Sequence, residues 1–103
     1  AKELCMLGDP IDAKEAERIG LVYKVVPQGK LNEAVNELCN KLMGKSSVAL
    51  HLAKSSIDKA LDTDIDTGLA YESEMFSKAF TTEDHIEGAK AFIEKRKPVF
   101  KGK

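Results

Sequence analysis

The side chains that most often carry acid–base, metal or nucleophilic chemistry are few in this sequence and lie scattered along it. The two histidines, His51 and His85, do not stand at metal-ligand spacing from each other or from a cysteine, so we interpret both as structural or solvent-facing. Acidic pairs such as Glu72 and Glu74 stand two residues apart, a spacing that directs them to different sides of a helix. No glycine-rich phosphate loop, nucleophile elbow or paired-cysteine motif occurs. The residues alone therefore predict no catalytic residue and no metal ligand.

The clearest chemical feature is a basic tail. Residues 90–103 hold six basic side chains against Glu94, a local net charge of +5, whereas residues 1–89 hold ten basic against sixteen acidic ones, a net charge of −6. The six are Lys90, Lys95, Arg96, Lys97, Lys101 and Lys103. Phe92 and Phe100 lie among them. Cations beside an aromatic ring can hold the phosphates and an apolar or ring group of one ligand. The alternative is a solvated helix end whose cations complement the helix dipole.

The elements that would position this tail are helical. Apolar residues recur at helical spacing in four successive segments. These stripes are Leu31, Ala34, Val35, Leu38 and Leu42; Ala49, Leu52, Ala53, Ile57 and Ala60; Leu69, Phe76 and Phe80; and Ile86, Ala89, Phe92 and Ile93. Ser46 or Ser47 is a predicted cap for the second helix, and Thr81 or Thr82 for the fourth. Pro98 is predicted to stop the fourth helix.

The first 27 residues predict shorter elements. Residues 1–7 have the pattern of the middle or end of a helix without a preceding cap. Asp12, with Glu15 three residues later, forms a capping-box pattern, and Gly20 is placed to end that helix in the left-handed conformation. Leu21–Val26 is the only β-rich run, and it predicts a short strand that must pair with other chain. The expected fold class is therefore mainly α, with one short strand near the N-terminus.

Composition limits the class of protein. A chain of 103 residues with 43% apolar content has room for one domain, and a net charge of −1 argues against a dedicated nucleic-acid binder. Cys5 and Cys39 have aliphatic neighbours and predict buried thiols in a reducing, cytoplasmic compartment. No apolar run approaches the ~18 residues of a membrane span, and no signal peptide is visible. We expect the chain to be part of a longer polypeptide.

Three stretches resemble a known family. Residues 8–27 fit the pattern G-x-x-I-x-A-x-x-A-x-x-x-G-L-V-x-x-V-x-P, and Ala53, Lys54 and Ile57 fit the helix that follows it. The closing stretch is matched at Glu72, Phe76, Phe80, Thr82, Glu83, Asp84, Glu87, Gly88, Ala91, Phe92, Glu94, Lys95, Arg96, Pro98 and Phe100. The sequence is thus similar to the C-terminal portion of the crotonase superfamily, the enoyl-CoA hydratase/isomerase family. Leu7 departs from it, because a threonine commonly precedes that glycine.

The resemblance implies that different parts of the family's fold have different functions. Residues 1–27 would end the family's α/β spiral core, and residues 28–103 would form its C-terminal helical region, which packs subunits into trimers or dimers of trimers. The family's oxyanion hole and its acid–base glutamates belong to the N-terminal half, so they are expected upstream of Ala1. Phe92 and Lys95 match closing-helix positions that, in many members, reach the coenzyme A of a neighbouring subunit. The implied substrate is an acyl-CoA thioester, with no separate cofactor.

Two alternatives stay open from the residues. Phe92 could be a core residue of the stripe from Ala89 to Ile93, and Lys95 could merely complement the helix dipole. For the whole chain, the leading hypothesis is a part of an enoyl-CoA hydratase or isomerase that is inactive alone. The alternative hypothesis is a free-standing helical interaction module without catalysis. Neither a nucleic-acid partner nor a membrane partner is expected.

Overall fold

The fold consists of six helices joined by turns and irregular segments, in a computed structural model that describes residues 1–103. The helices are α1 (Lys2–Leu7), α2 (Ala13–Arg18), α3 (Leu31–Met43), α4 (Ser47–Ala60), α5 (Ile65–Phe80) and α6 (Glu83–Ile93). None of them has the length and apolar character that crossing a bilayer requires. The prediction of a mainly helical chain is confirmed.

Side-chain caps determine where four of the helices begin. The capping oxygens belong to Asp12, Ser46, Asp64 and Thr82, and each accepts a hydrogen bond from the backbone N–H three residues later. Each bond satisfies one of the N–H groups that have no partner within the first turn of a helix. The caps predicted at Asp12, at Ser46 or Ser47, and at Thr81 or Thr82 are therefore confirmed.

The strand predicted for Leu21–Val26 is wrong, because this segment is irregular and the structure contains no strand. A strand needs a neighbouring strand for its backbone hydrogen bonds, and no other segment of the chain supplies one. The segment is tied instead to α2. Its first two N–H groups donate to the Ala16 carbonyl at 2.9 and 3.2 Å, and the Val25 N–H donates to the Glu17 carboxylate at 3.0 Å.

The chain divides into two compact units, residues 1–37 and 38–103. In the first, Ala16 is the buried apolar residue. In the second, α4 and α5 pack against each other after a short connection, and α5 also contacts α6. The hydroxyl oxygens of Ser55 and Tyr71 lie 2.7 Å apart and link α4 to α5. The functional division predicted at residues 27 and 28 stays a prediction.

The apolar stripes of α3 to α6 remain largely on the surface. Among their larger members, Leu31, Leu38, Leu69 and Ile86 are 64%, 42%, 55% and 65% exposed. The interior is built from other positions, since the buried apolar residues of the second unit are Met75 and Ala91. Hydrophobic periodicity identified the helices correctly, but the faces that it marks are not those that this chain buries.

The prediction of buried cysteines is also wrong, because both thiols are exposed. Cys5 lies on α1 and Cys39 on α3, and neither helix has a single buried residue. An aliphatic neighbourhood in sequence predicts burial only when another element covers that face of the helix. Within each unit, nothing covers these two thiols.

Candidate functional site

The end of α6 is a backbone turn that holds Lys95 in an uncommon conformation. The Lys95 N–H donates to the Phe92 carbonyl at 3.2 Å, and the Arg96 N–H donates to the Ala91 carbonyl at 3.0 Å. These two bonds form a Schellman motif, in which the residue after the C-cap adopts the left-handed conformation. Lys95 has a φ of 53° and is the only residue other than glycine with a positive φ.

Phe92 and three lysines lie within five residues of this turn, and none of the three forms an ion pair. Phe92 is 86% exposed, so it is not a core residue of this chain. Of the six cations in the tail, Arg96 and Lys103 form ion pairs with carboxylates. Three cations near this end, Lys90, Lys95 and Lys97, are exposed and form no ion pair. Lys101 is also exposed and unpaired, but its backbone is bound to Asp84 at the start of α6. The end of α6 therefore presents unneutralised positive charge next to an exposed aromatic ring, a combination suited to an anionic ligand with an apolar part.

Arg96 is held in place by two carboxylates. Its guanidinium donates to both Glu87 oxygens, at 2.6 and 2.9 Å, and to Glu94 at 2.6 Å. Glu87 also accepts the Val99 N–H at 2.8 Å. The Arg96 guanidinium, followed by the Val99 N–H, lowers the pKa of Glu87 to about 2. Glu87 therefore remains ionised well below the usual range of a glutamate, and the bidentate pair persists through mildly acidic conditions.

Asp84 ties the last residues of the chain to the start of α6. It is only 3% exposed, and its two oxygens accept the N–H groups of Lys101 and Gly102 at 2.7 and 3.0 Å. In return, the Asp84 N–H donates to the Lys103 carbonyl at 3.0 Å. The Ser46 hydroxyl first, and then these two N–H groups, hold the pKa of Asp84 below its ordinary value. This buried carboxylate is thus satisfied by hydrogen bonds rather than by a cation.

Gly102 lets the end of the tail approach the start of α4. It has a φ of 75°, and a Cβ there would lie 2.6 Å from the Ser47 Oγ. The positive φ and the close approach both favour glycine at this position. Gly88 lies within α6, where a Cβ would stand 3.6 Å from the Phe100 ring, an ordinary van der Waals distance.

The histidines have no arrangement suited to catalysis. His85 packs on Phe80 with ring centroids 4.1 Å apart, and His51 is exposed on α4. This agrees with their interpretation as structural or solvent-facing residues. No group of three His, Cys, Asp or Glu side chains is arranged to hold a metal ion.

The structure brings the two candidate residues from the sequence, Phe92 and Lys95, to the same helix end, and their role stays a prediction. Sequence reasoning missed the carboxylates that organise this end. In the sequence, Asp84 and Glu87 stand out only as positions that match the family's closing stretch. Most of their partners are backbone N–H groups far along the chain, which leave no pattern in the sequence. The available signal was Arg96, a cation that could reach back to an acid on the preceding helix.

Sequence comparison identifies the relatives of this chain. A family profile described as "Enoyl-CoA hydratase/isomerase" matches residues 1–103. The short-chain-enoyl-CoA hydratase of Clostridium acetobutylicum is 46% identical over 97 residues, which is 94% of this chain and 37% of that protein. The crotonyl-CoA hydratase of Syntrophomonas wolfei is 40% identical over 100 residues, or 97% of this chain and 38% of that protein. The chain thus spans about two fifths of the length of these relatives.

Solved structures give the same result for the fold. The enoyl-CoA hydratase of Bacillus anthracis superposes with a TM-score of 0.95 at 39% identity, covering 99% of this chain and 40% of that one. An enoyl-CoA hydratase subunit of Geobacillus kaustophilus superposes with a TM-score of 0.93, also at 39% identity, and covers 99% of this chain and 40% of that one. The fold is therefore a helical portion of a crotonase-type fold. The chain belongs to the enoyl-CoA hydratase/isomerase family.

Proposed function

We propose that this chain is the C-terminal helical region of an enzyme that hydrates α,β-unsaturated acyl-CoA thioesters. The observation that carries this proposal is the similarity to named hydratases over 94% to 97% of the chain. Hydration needs an oxyanion hole for the thioester and carboxylates that activate water. Those groups belong to the part of the enzyme that this chain does not match. Isomerases share the same family description, so hydration is proposed as the default chemistry.

The chain's own contribution to the active site is part of the binding site for coenzyme A. Lys95 would meet a phosphate of the coenzyme A bound to a neighbouring subunit as a point charge, and Phe92 would offer an apolar surface to it. The unpaired lysines Lys90 and Lys97 would add to the positive potential around that phosphate. The exposure of Phe92 and the absence of carboxylate partners for these lysines support this assignment.

The second contribution is assembly into trimers or dimers of trimers. Support comes from the apolar residues that helices α3, α5 and α6 leave on the surface. Apolar faces of this kind usually mark contacts with other protein surfaces. In the assembled enzyme, they would be covered by the rest of the polypeptide and by neighbouring subunits.

The binding proposal predicts where coenzyme A touches this chain. In an NMR titration of the isotopically labelled chain, coenzyme A should shift the amide signals of residues 90–97 more than those of α4 and α5. Pantetheine, which lacks the nucleotide phosphates, should shift them much less. High salt should reduce the coenzyme A response. The screening length between exposed charges is about 8–10 Å at physiological ionic strength, and it becomes shorter as the salt concentration rises.

Two exposed lysines without ion pairs provide a matched comparison. Lys95→Ala should suppress the response to coenzyme A, whereas Lys59→Ala, in the last turn of α4, removes the same charge elsewhere and should leave the response unchanged. An equal effect of the two variants, or an equal response to pantetheine, would contradict the proposed contact.

A further inference from the structure

The turn at the end of α6 places a lysine where such turns usually have glycine. Helix α2 ends in the same pair of hydrogen bonds, from the Gly20 N–H to the Glu17 carbonyl and from the Leu21 N–H to the Ala16 carbonyl. There the left-handed position is Gly20, with a φ of 75°. At α6 the equivalent residue is Lys95, whose Cβ makes the same conformation unfavourable. Contacts beyond the two hydrogen bonds of the turn can offset that cost.

Those contacts come from the residue that follows it. Arg96 folds back along α6, and its guanidinium forms a bidentate pair with Glu87 at 2.6 and 2.9 Å while its Nε reaches Glu94. Glu87 also accepts the Val99 N–H, so one carboxylate ties the chain on both sides of Pro98. Arg96 follows Lys95 directly in the chain. Holding the Arg96 side chain in place therefore restricts the backbone of the lysine.

Asp84 holds a different part of the tail. Within the tail, its hydrogen bonds go to Lys101, Gly102 and Lys103, and it makes none with Arg96. The two carboxylates therefore have separable roles: Glu87 acts on the turn at residues 95–99, and Asp84 acts on the last three residues. This separation provides a control within the same helix.

We propose that Glu87 is a positioning residue for Lys95: by holding Arg96, it keeps the lysine in its left-handed turn and so raises the affinity for the phosphate-bearing part of coenzyme A. The inference rests on the proposed function, since it assumes that Lys95 meets the ligand. Its physical basis is preorganisation, because a group already held in its bound geometry loses less freedom when the ligand arrives. Glu87 itself would not touch the ligand.

The direction in which one substitution changes coenzyme A binding separates this role from a general effect of charge. Glu87→Gln removes a negative charge near the tail, so electrostatics alone would strengthen the binding of an anion. Positioning predicts the opposite result. In the NMR titration, the coenzyme A response at residue 95 should fall at least threefold in Glu87→Gln, and the ¹³Cα and ¹³Cβ shifts of residue 95 should move away from left-handed values. The weaker response to pantetheine should not change.

Two further variants keep the test decisive. Arg96→Lys preserves every charge but loses the bidentate fork, so it should weaken the response as Glu87→Gln does, even if the latter folds poorly. Asp84→Asn should free residues 101–103 and leave the response at residue 95 intact. Normal or tighter binding of coenzyme A by both Glu87→Gln and Arg96→Lys would overturn the positioning role. No response in the unsubstituted chain would instead overturn the proposed function on which this inference rests.

Discussion

Replacing Lys95 by glycine is expected to stabilise the protein and weaken its hold on coenzyme A at the same time. A residue with a Cβ in the left-handed conformation costs about 1–2 kcal/mol, and glycine removes that cost but loses about 0.5–1 kcal/mol of chain entropy on folding. The net gain of several tenths of a kcal/mol or more should raise the melting temperature by a few degrees. The left-handed conformation at this position favours glycine. A binding role would explain why a lysine is found there instead.

The loss of binding is best measured in a joined enzyme, in which this chain replaces the matched 40% of the Bacillus anthracis enoyl-CoA hydratase. A charge-assisted contact with a phosphate contributes about 1.5–3 kcal/mol, and an exposed one lies near the lower limit. The KM for crotonyl-CoA should therefore rise about tenfold in Lys95→Gly. The kcat should change little, because the lost contact exists in both the ground state and the transition state.

Lys95→Ala is the control for these two effects. It removes the same charge but keeps a Cβ in the left-handed turn, so its KM should rise as in Lys95→Gly without any gain in melting temperature. A KM that stays at the original value in both variants, with only the melting temperature changed, would reduce Lys95 to the cationic end of a helix.

The largest loss of stability is expected from Met75→Ala. Met75 is 7% exposed and is the only buried apolar side chain larger than alanine. Truncation of a buried methionine to alanine typically costs about 2–5 kcal/mol, because packing is lost and a cavity remains. That is a large fraction of the roughly 5–15 kcal/mol that stabilises an ordinary domain. Urea unfolding followed by circular dichroism should show a much lower midpoint for this variant.

The adjacent residue provides the comparison. Phe76 is larger than Met75 but 64% exposed, so Phe76→Ala should cost clearly less in the isolated chain, despite the greater number of atoms removed. Equal losses from the two variants would contradict the exposure of Phe76 described for the single chain.

The sequence predicted the helices well because their signals are local. Caps such as Asp12 and Thr82, and the stop at Gly20, act within one turn of the chain, so neighbouring residues suffice to recognise them. The strand at Leu21–Val26 failed for the opposite reason. A strand depends on hydrogen bonds to another segment, and no pattern within the run can reveal whether that segment is present.

The faces of the helices were harder to predict than the helices themselves. Periodicity marked the stripe of α6 that contains Ile86 and Phe92, yet the structure exposes both and buries Asp84 and Ala91. An apolar stripe indicates a surface that should be covered, but not by which molecule. Burying Asp84 is possible only because backbone N–H groups of the tail satisfy it, and backbone donors are the same in every sequence.

Two features of the sequence point to the candidate site. The distribution of charge indicates the basic tail, whereas only the family resemblance singles out Phe92 and Lys95. Neither feature shows that Arg96 is neutralised by Glu87 and Glu94, since that pairing depends on the turn at Lys95. The sequence therefore overstated the number of cations available to a ligand and missed the residues that orient them.

The hydration rate of the joined enzyme decides whether this chain completes an enoyl-CoA hydratase. Hydration is measured as the loss of crotonyl-CoA absorbance, for the joined enzyme, for this chain alone and for the truncated Bacillus anthracis partner alone. We predict hydration by the joined enzyme and a rate no greater than background for either part by itself. A joined enzyme that folds but does not hydrate crotonyl-CoA, or a measurable rate from the pure 103-residue chain, would contradict this account.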